Sequence, residues 1–283
     1  MTETTVQDPI GEQDSPASVR ASVKYLADDS GLAVYHASVG GEEARLSMDG
    51  EFETRDVQIG NARVSDTNYT LDRNGFALVA HRSAIDDFYN QATVDSLYTS
   101  EVESLIGDVT GASRVTVFDH TRRGDTVALR KKHSIREPSA VVHNDYTDRS
   151  GPQRVRDILT DDADALLGGR FAIVNVWRAM RNPVLTSPLA ICDADSLDSQ
   201  DLVATERRAR DRIGEIYLVR FNPAHRWWYF PNLQLDEAIL IKTFDSAVDG
   251  RARFAVHTAF DDPTSPPGAA SRESIETRAL VFF

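Results

Sequence analysis

The sequence predicts a mainly β fold (α+β), built as a sandwich, jelly roll or barrel with flanking helices. β-like runs recur at short, roughly even spacing through the C-terminal half, and few helical patterns interrupt them. No Gly-rich phosphate loop is present, because Gly40-Gly41 and Gly168-Gly169 lack the required pattern around them. These observations disfavour an alternating βαβ fold.

The N-terminal part of the chain is predicted to hold short strands and then helix. Residues 1–18 are polar and acidic, and we expect a flexible tail there. Strand-like runs follow at 33–39, 55–59 and 76–81. Ser83 suits an N-cap for one or two helices that run from residue 84 to about Gly107, since apolar residues recur there at helical spacing.

The remainder is expected to be mostly strand. Further β-like runs lie at 113–120, 170–177, 215–221, 226–230, 238–243, 253–260 and 276–283, and a helix is predicted at 154–167. The basic, irregular stretch 121–140 is read as a solvated face or as a loop at the mouth of a site. We expect a single domain over 19–283, in which 19–110 is an N-terminal β/α extension and 111–283 is the β core.

Composition narrows the classes of function. The net charge of -13 disfavours binding to nucleic acid and to anionic membranes. A single cysteine, Cys192, precludes an intrachain disulfide and a Cys-rich zinc site, and it suits a cytoplasmic location. No apolar run approaches the ~20 residues that span a bilayer. A homo-oligomer and a biosynthetic partner enzyme both stay open.

The clearest chemical signal is His143-Asn144-Asp145, which follows the β-like pair Val141-Val142. In an extended segment, residues i and i+2 point to the same side, so His143 and Asp145 can address one point. His257, in another strand-like run, is the candidate third ligand. Two histidines and one carboxylate form the facial triad of non-haem Fe(II), whose open positions accept a 2-oxo acid and dioxygen. The alternatives are a surface His143–Asp145 pair and a satisfied core histidine at 257.

A 2-oxo acid such as 2-oxoglutarate needs a cation for its far carboxylate, and the planar fork of arginine suits that role. Arg272 and Ser274 lie 15 and 17 residues after His257 and would face the same way on a strand. Arg278 is the rival anchor. Both are therefore candidate cofactor-binding residues.

Several other side chains are candidates for the pocket that binds the substrate. Tyr146 follows the metal run, and Trp177 and Arg178 end a strong strand; the alternative is that Trp177 is core and Arg178 an ion-paired rim residue. The aromatic residues 227–229 are expected in the core, and Lys242 is read as a surface lysine or as a substrate cation. A second metal pair at Asp119-His120 is disfavoured, because adjacent strand residues point to opposite faces.

Short collinear motifs over about residues 70–283 resemble one enzyme family. They are VFDHT (117–121), HNDYT (143–147), NVWR (175–178), PLA (188–190), CD (192–193), RWWYFP (226–231), DEA (236–238), FDS (244–246), HTAF (257–260) and RESIETR (272–278). The chain thereby resembles the family that includes the cephamycin 7α-methoxylase small subunit, gibberellin desaturases and fungal hydroxylase/desaturases. Ala179 departs from the proline expected after the NVWR motif, so the wall near Arg178 is expected to differ.

The resemblance implies a double-stranded β-helix (a cupin-like jelly roll) that uses Fe(II), 2-oxoglutarate and dioxygen. It also implies hydroxylation or desaturation of a small natural product, with His143, Asp145 and His257 as the catalytic metal ligands. Two alternatives stay open. One is a zinc or manganese hydrolase or lyase on the same three residues, and the other is a non-catalytic partner subunit of a methyltransferase-type complex.

Overall fold

A computed structural model describes residues 15–210 and 212–283, which form two facing β-sheets with helices on the outside. The strands are β1 (Ser18–Leu26), β2 (Val34–His36), β3 (Ser47–Asp49), β4 (Phe52–Asn61), β5 (Phe76–Ala80), β6 (Arg114–Gly124), β7 (His143–Asn144), β8 (Phe171–Ala179), β9 (Leu189–Cys192), β10 (Leu202–Arg208), β11 (Ile213–Val219), β12 (Trp227–Tyr229), β13 (Glu237–Asp245), β14 (His257–Ala259) and β15 (Glu273–Phe282). The mainly β prediction is confirmed.

The helices are short and lie mostly before and between the central strands. They are α1 (Gln91–Thr93), α2 (Thr99–Thr110), α3 (Val127–His133), α4 (Ser150–Ile158) and α5 (Ala163–Leu167), with a π turn at Val94–Tyr98 and 3₁₀ turns at Ala194–Ser196 and Ser199–Asp201. Within the described part of the chain, no helix is long and apolar enough to span a membrane.

The strand order places neighbouring segments of the chain in opposite sheets. The larger sheet has the order β1-β4-β12-β9-β14-β7-β11-β10-β2-β3, and the smaller has β5-β13-β8-β15-β6. From β7 to β9, and again from β12 to β15, successive strands alternate between the two sheets. Side chains from both sheets therefore meet in the space between them.

The smaller sheet is covered on both faces, which explains why every residue of β8 is buried. Val174 and Val176 pack against α2 on the outer face. Trp177 packs against residues of the larger sheet, including Ile191, on the inner face. Because apolar residues occupy both faces, the strand reads as a continuous hydrophobic run without alternation.

Most predicted strands are present, with shifted ends. The 253–260 run contributes only β14, and the strand-like runs named from the sequence did not include β1, β3, β9 and β10. The basic stretch 121–140 is more regular than expected, since β6 continues to Gly124 and α3 follows. Helix is found at 150–158 and 163–167 in place of one helix at 154–167.

The helix predicted from residue 84 begins later. Asn90 is the observed N-cap, and its side chain accepts a hydrogen bond from the Thr93 amide. The Ser83 hydroxyl instead donates to Glu101 (2.6 Å). The helix also ends later, at Gly111 with φ 69°, a left-handed conformation that glycine adopts without strain. Both serine and asparagine are good caps, and tertiary contacts select between them.

The N-terminal part of the chain joins the sheets earlier than the predicted tail implies. Residues 1–14 of the predicted tail lie outside the described residues, and β1 already begins at Ser18. Strands from the predicted extension enter both sheets, since β1 to β4 join the larger sheet and β5 pairs with β13. Trp227 and Tyr229 are buried, as expected for core residues, whereas Trp228 is only half-buried.

A glycine in α4 tests how tightly the helix packs on the smaller sheet. A Cβ at Gly151 would lie 2.7 Å from the ring of Phe244, which is buried and stacked on Phe171. We expect Gly151→Ala to lower the free energy of unfolding by about 1–3 kcal/mol through overpacking. This outweighs the gain of about 1 kcal/mol in helix propensity.

The matched control is Gly107→Ala in α2, where an added Cβ has no atom within 4 Å. That variant should gain up to about 1 kcal/mol. Urea unfolding of both variants measures the two free energies. Equal stabilisation by both substitutions would contradict the close packing of α4.

Candidate active site

The three predicted metal ligands come together between the sheets. His143 on β7 and His257 on β14 are directly paired across two antiparallel strands, and Asp145 follows β7 by one residue. One ligand atom from each residue lies within 4.8 Å of the others. His143 Nε2 is 3.7 Å from Asp145 Oδ1. The same-side rule for residues i and i+2 thus accounts for the local pair, and strand pairing supplies the distant histidine.

Both imidazoles are oriented by their own backbone. His143 Nδ1 lies 2.8 Å from the Val141 carbonyl, and His257 Nδ1 lies 2.9 Å from the Ala255 carbonyl. A carbonyl only accepts, so each Nδ1 carries the proton and each Nε2 presents a lone pair. Burial, followed by the charge of His257, lowers the pKa of His143 to about 3. The ring is therefore neutral, as a metal ligand must be.

Asp145 is held as a carboxylate. Burial acts to raise its pKa, but Arg278 and the two histidines together bring that pKa well below its usual range. Its Oδ2 accepts hydrogen bonds from Asn175 Nδ2 (2.8 Å) and Arg278 Nε (2.9 Å), which leaves Oδ1 directed at the histidines. Two neutral imidazoles and one oriented carboxylate are a donor set that fits Fe(II).

Arg278 is saturated by carboxylates. Besides Asp145, it donates to Asp119 (2.7 Å) and to Glu276 (2.6 Å), and these anions hold its pKa well above the usual value despite burial. Asn175 Nδ2 also reaches Glu276 (2.9 Å). Arg278 therefore orients the carboxylate of Asp145, and its positive charge is already balanced by three carboxylates, so it is not available to bind a 2-oxo acid.

Arg272 differs sharply from Arg278. It is only 2% exposed, and among the residues described it has no carboxylate within ion-pair distance. It donates to Ser274 Oγ (3.0 Å) and to the Ser187 carbonyl (2.6 Å), and its guanidinium lies 4.9 Å from the centre of the Trp177 ring. Burial, followed by the charge of Arg123, lowers its pKa to about 9.

A narrow cavity is lined by this arginine and by both histidines. Its walls include His143, His257, Trp177, Arg123 and Arg272. A buried guanidinium without a counter-ion is costly, and a bound anion would compensate it. The cavity therefore offers a metal at one end and a carboxylate site at the other.

Comparisons with known proteins agree with this geometry. A family model described as Oxidoreductase/YMDC permease-like domain matches residues 23–282. Hydroxylase/desaturase CTB9 of Cercospora beticola is 33% identical over 255 residues, which cover 82% of this chain and 78% of CTB9. Alpha-ketoglutarate-dependent dioxygenase phiK from a fungal species is 31% identical over 273 residues, which cover 94% of this chain and 96% of phiK. The chain belongs to the Fe(II)/2-oxoglutarate-dependent oxygenase family.

A solved structure supports the same assignment for the fold. The iron and alpha-ketoglutarate-dependent endoperoxidase NvfI superposes with a TM-score of 0.83 at 26% identity, covering 95% of this chain and 99% of that one. The oxygenase therefore shares the overall architecture of an enzyme that uses iron and 2-oxoglutarate, which is also called alpha-ketoglutarate.

Two of the three predicted substrate residues lie away from the cavity of this oxygenase. Arg178 points to the outer face of β8, where it contacts His81 and the Leu235 carbonyl, because adjacent strand residues face opposite ways. Tyr146 packs into an apolar cluster beside α4, and burial raises its pKa to about 12. Of the three predicted substrate residues, only Trp177 lines the cavity.

The reading of Lys242 as a surface or substrate lysine was wrong. Its side chain is 2% exposed and contacts Asp245 (3.0 Å) and Asp72 (2.7 Å). It lies on β13 at the outer face of the smaller sheet, away from the histidines. A buried position with two carboxylates satisfies its charge structurally.

Three site residues escaped the sequence reading. Glu276 shares the inward face of β15 with residues 272, 274 and 278, so alternation from Arg272 would have found it. Asn175 lies two residues before Trp177 on β8 and follows by the same rule. Arg123 was placed in the irregular stretch 121–140, because no local pattern indicates that β6 continues to Gly124.

Removal of the two arginines of the oxygenase should change the free energy of unfolding by different amounts. Arg278→Leu leaves three carboxylates near the centre without their cation, and we expect a loss of about 3–5 kcal/mol in the free energy of unfolding. Arg272→Leu gives up two hydrogen bonds but also removes an uncompensated buried charge, so its change should stay within about 1 kcal/mol.

Denaturant unfolding of the metal-free variants tests this contrast. The free energies are compared with those of the unmodified chain at one pH and salt concentration. If Arg272→Leu destabilised as strongly as Arg278→Leu, the guanidinium of Arg272 would have a structural counter-ion, and the contrast would be wrong.

Proposed function

We propose that His143, Asp145 and His257 bind the catalytic iron, and that Arg272 with Ser274 anchors the far carboxylate of 2-oxoglutarate. The observation that carries the proposal is the buried guanidinium of Arg272, which forms no ion pair with any residue that the structure describes and lines the same cavity as the two inward-facing imidazoles. With this centre, the enzyme hydroxylates or desaturates a small secondary metabolite. Trp177 is the proposed wall of the pocket.

When bound, the iron and 2-oxoglutarate supply the oxidising power, through decarboxylation to succinate and CO₂ and the use of dioxygen to cleave a C–H bond. The chain's own residues position the reactants. The backbone carbonyls of Val141 and Ala255 fix the proton on each histidine Nδ1, so that both Nε2 atoms remain available. Arg278 and Asn175 hold one oxygen of Asp145 and aim the other at the metal position.

Arg272 sets the direction from which 2-oxoglutarate enters the metal site. Its fork is positioned by Ser274, by the Ser187 carbonyl and by the Trp177 ring, so little conformational freedom is lost on binding. The apolar walls keep water away from the reacting carbon. Leu189 and Ala259 contribute to these walls.

The finer family and fold assignments belong to the same proposal. We propose a double-stranded β-helix, a cupin-like jelly roll, which the alternation of successive strands between two sheets supports. Kinship with the cephamycin methoxylase small subunit and the gibberellin desaturases is supported by the short collinear motifs over about residues 70–283. A single domain over 19–283 is consistent with strands from 19–110 joining both sheets, and the buried Cys192 is compatible with the cytoplasm.

The hydrolase or lyase alternative fits the site less well. Such a site needs a metal and a general base, but it has no use for a buried cation aimed at a second carboxylate. The relative CTB9 is a hydroxylase/desaturase, and the relative phiK is an alpha-ketoglutarate-dependent dioxygenase. A non-catalytic partner subunit would not need two imidazoles and a carboxylate gathered around one point beside a buried arginine, so one oxidative function is retained.

Removal of His257 tests the metal ligands. We expect His257→Ala to weaken anaerobic Fe(II) binding by more than the roughly 10–100-fold that outer partners of a metal site contribute. The fold should persist, because the remaining cavity is small and Asp145 keeps its partner Arg278. His36→Ala, which alters a surface histidine paired with Asp49, is the control and should bind Fe(II) normally. Undiminished affinity in His257→Ala would contradict the triad.

Removal of Arg272 tests the 2-oxoglutarate anchor. Hydrogen bonds to charged groups contribute about 1.5–3 kcal/mol, so Arg272→Leu should raise the Kd for 2-oxoglutarate about 10–100-fold. Fe(II) affinity should stay unchanged, because Arg272 does not contact the ligands. Anaerobic calorimetry measures both constants. If only Arg278→Leu weakened 2-oxoglutarate binding, the anchor would be assigned to the wrong arginine.

A further inference from the structure

Several arginines gather beside the proposed active site, although the chain as a whole carries a net charge of -13. Arg123 and Arg136 lie on adjacent segments that form an isolated β-bridge, so their side chains share a face. That face is the inner one, because Arg123 pairs with Ser274 and lines the cavity with His143. The guanidinium groups of Arg123 and Arg136 therefore both lie on the inner face of the smaller sheet.

The larger sheet contributes a third arginine from the opposite side. On β11, Leu218 pairs with His143, and Gly214 lies four residues earlier on the same face. Gly214 pairs in turn with Arg207 on β10. Arg207 therefore projects from the same face of the sheet as His143 and Asp145, towards the arginines of the smaller sheet.

These side chains are close enough for their charges to interact. Burial, followed by the charges of Arg123, Arg207 and Arg278, lowers the pKa of Arg136. Arg212 lies nearby, since burial and then the charge of Arg154 lower its pKa, with Arg207 contributing, but its guanidinium pairs with Asp157 (3.3 Å). Mutual repulsion of this kind is unfavourable unless an anion offsets it.

Within residues 15–210 and 212–283, the charges of this cluster are poorly compensated. The side chains of Arg136 and Arg207 make no hydrogen bond or ion pair there, and Arg123 donates only to the Glu137 carbonyl (2.7 Å). Asp119 faces Arg136, but its Oδ2 already accepts from Arg278 (2.7 Å). The cluster therefore holds more positive charge than its own carboxylates neutralise.

Space for a ligand adjoins the cluster. Of the cluster, Arg136 lines a polar groove along β6, together with Asp119 and Thr121. Asp119 and Thr121 both contact Arg278, which contacts Asp145, so the groove is separated from the metal position by one side chain. A molecule held in the groove would lie next to the reacting centre.

We propose that the substrate of this oxygenase carries an oxyanion, such as a carboxylate, and that Arg136 and Arg207 bind this group. The inference rests on the proposed function, and it identifies the chemical class of the substrate for the same site. Arg272 is assigned to 2-oxoglutarate, because it lines the cavity that contains His143 and His257. The substrate anion therefore uses a separate set of cations, and it orients the scaffold with its reacting carbon towards the metal.

A pair of fluorescent probes tests the proposal without knowledge of the substrate. Anilinonaphthalene sulfonate and N-phenylnaphthylamine share an aromatic framework, but only the first carries an anion. Each is titrated into the enzyme loaded with Mn(II), which prevents turnover, and with saturating 2-oxoglutarate. We expect Arg136→Gln and Arg207→Gln each to raise the Kd for the sulfonate about tenfold and to leave that for the neutral amine unchanged.

Arg208→Gln is the matched control, because Arg208 is adjacent to Arg207, points to the opposite face and pairs with Glu206. It should bind both probes like the unmodified enzyme. Arg207→Lys keeps the positive charge and should recover most of the sulfonate affinity, which separates loss of charge from loss of fold.

Two results would overturn the inference. In one, all variants bind the sulfonate equally well; in the other, the neutral amine loses as much affinity as the sulfonate, which would indicate lost packing. Failure of the proposed function looks different, because the unmodified enzyme would then take up neither Mn(II) nor 2-oxoglutarate. That outcome would also remove the basis for assigning a substrate.

Discussion

The buried contact between Arg278 and Asp145 is the interaction on which the site depends. Arg278 comes from the smaller sheet and Asp145 from the larger, so their hydrogen bond (2.9 Å) joins the two halves of the fold at the metal position. It also keeps the carboxylate ionised and turns one oxygen towards the histidines. The same contact therefore stabilises the sandwich and prepares the ligand geometry.

Arg278 on β15 and Arg272, directly before that strand, then take different roles because their surroundings differ. Arg278 has three carboxylates around it and acts within the protein. Arg272, six residues earlier, lies in a pocket of hydroxyl, carbonyl and aromatic groups that position its fork without neutralising it. A charge left uncompensated in a closed cavity is unfavourable for stability and favourable for binding an anion.

Sequence reasoning predicted the parts of the site that follow from local geometry. The pairing of His143 with Asp145, and of Arg272 with Ser274, needs only the alternation of a strand. Position 178 shows the limit of that rule. β8 is buried on both faces, so its pattern does not reveal which residues face the cavity, and the predicted substrate arginine lies on the wrong side.

Contacts between residues far apart in the sequence were the second limit on the prediction of the site. Arg278 was a rival anchor in the sequence because nothing local identifies Asp119 and Asp145 as its counter-ions. The start of the first helix was misplaced for a similar reason, since the side chain that attracts Ser83 is Glu101, 18 residues away. Strand pairing and tertiary contacts determine the partner of Arg278 and the start of the first helix, and local sequence patterns do not reveal those contacts.

The central claim is that one cavity brings a ferrous ion and 2-oxoglutarate into direct contact. Anaerobic addition of Fe(II) and then 2-oxoglutarate, followed by visible spectroscopy, tests it most directly, because chelation of ferrous iron by a 2-oxo acid produces a charge-transfer absorption band. The account predicts that the band develops with one equivalent of each. A chain that binds both species and yet shows no band would hold them at separate places, and that result would contradict the account.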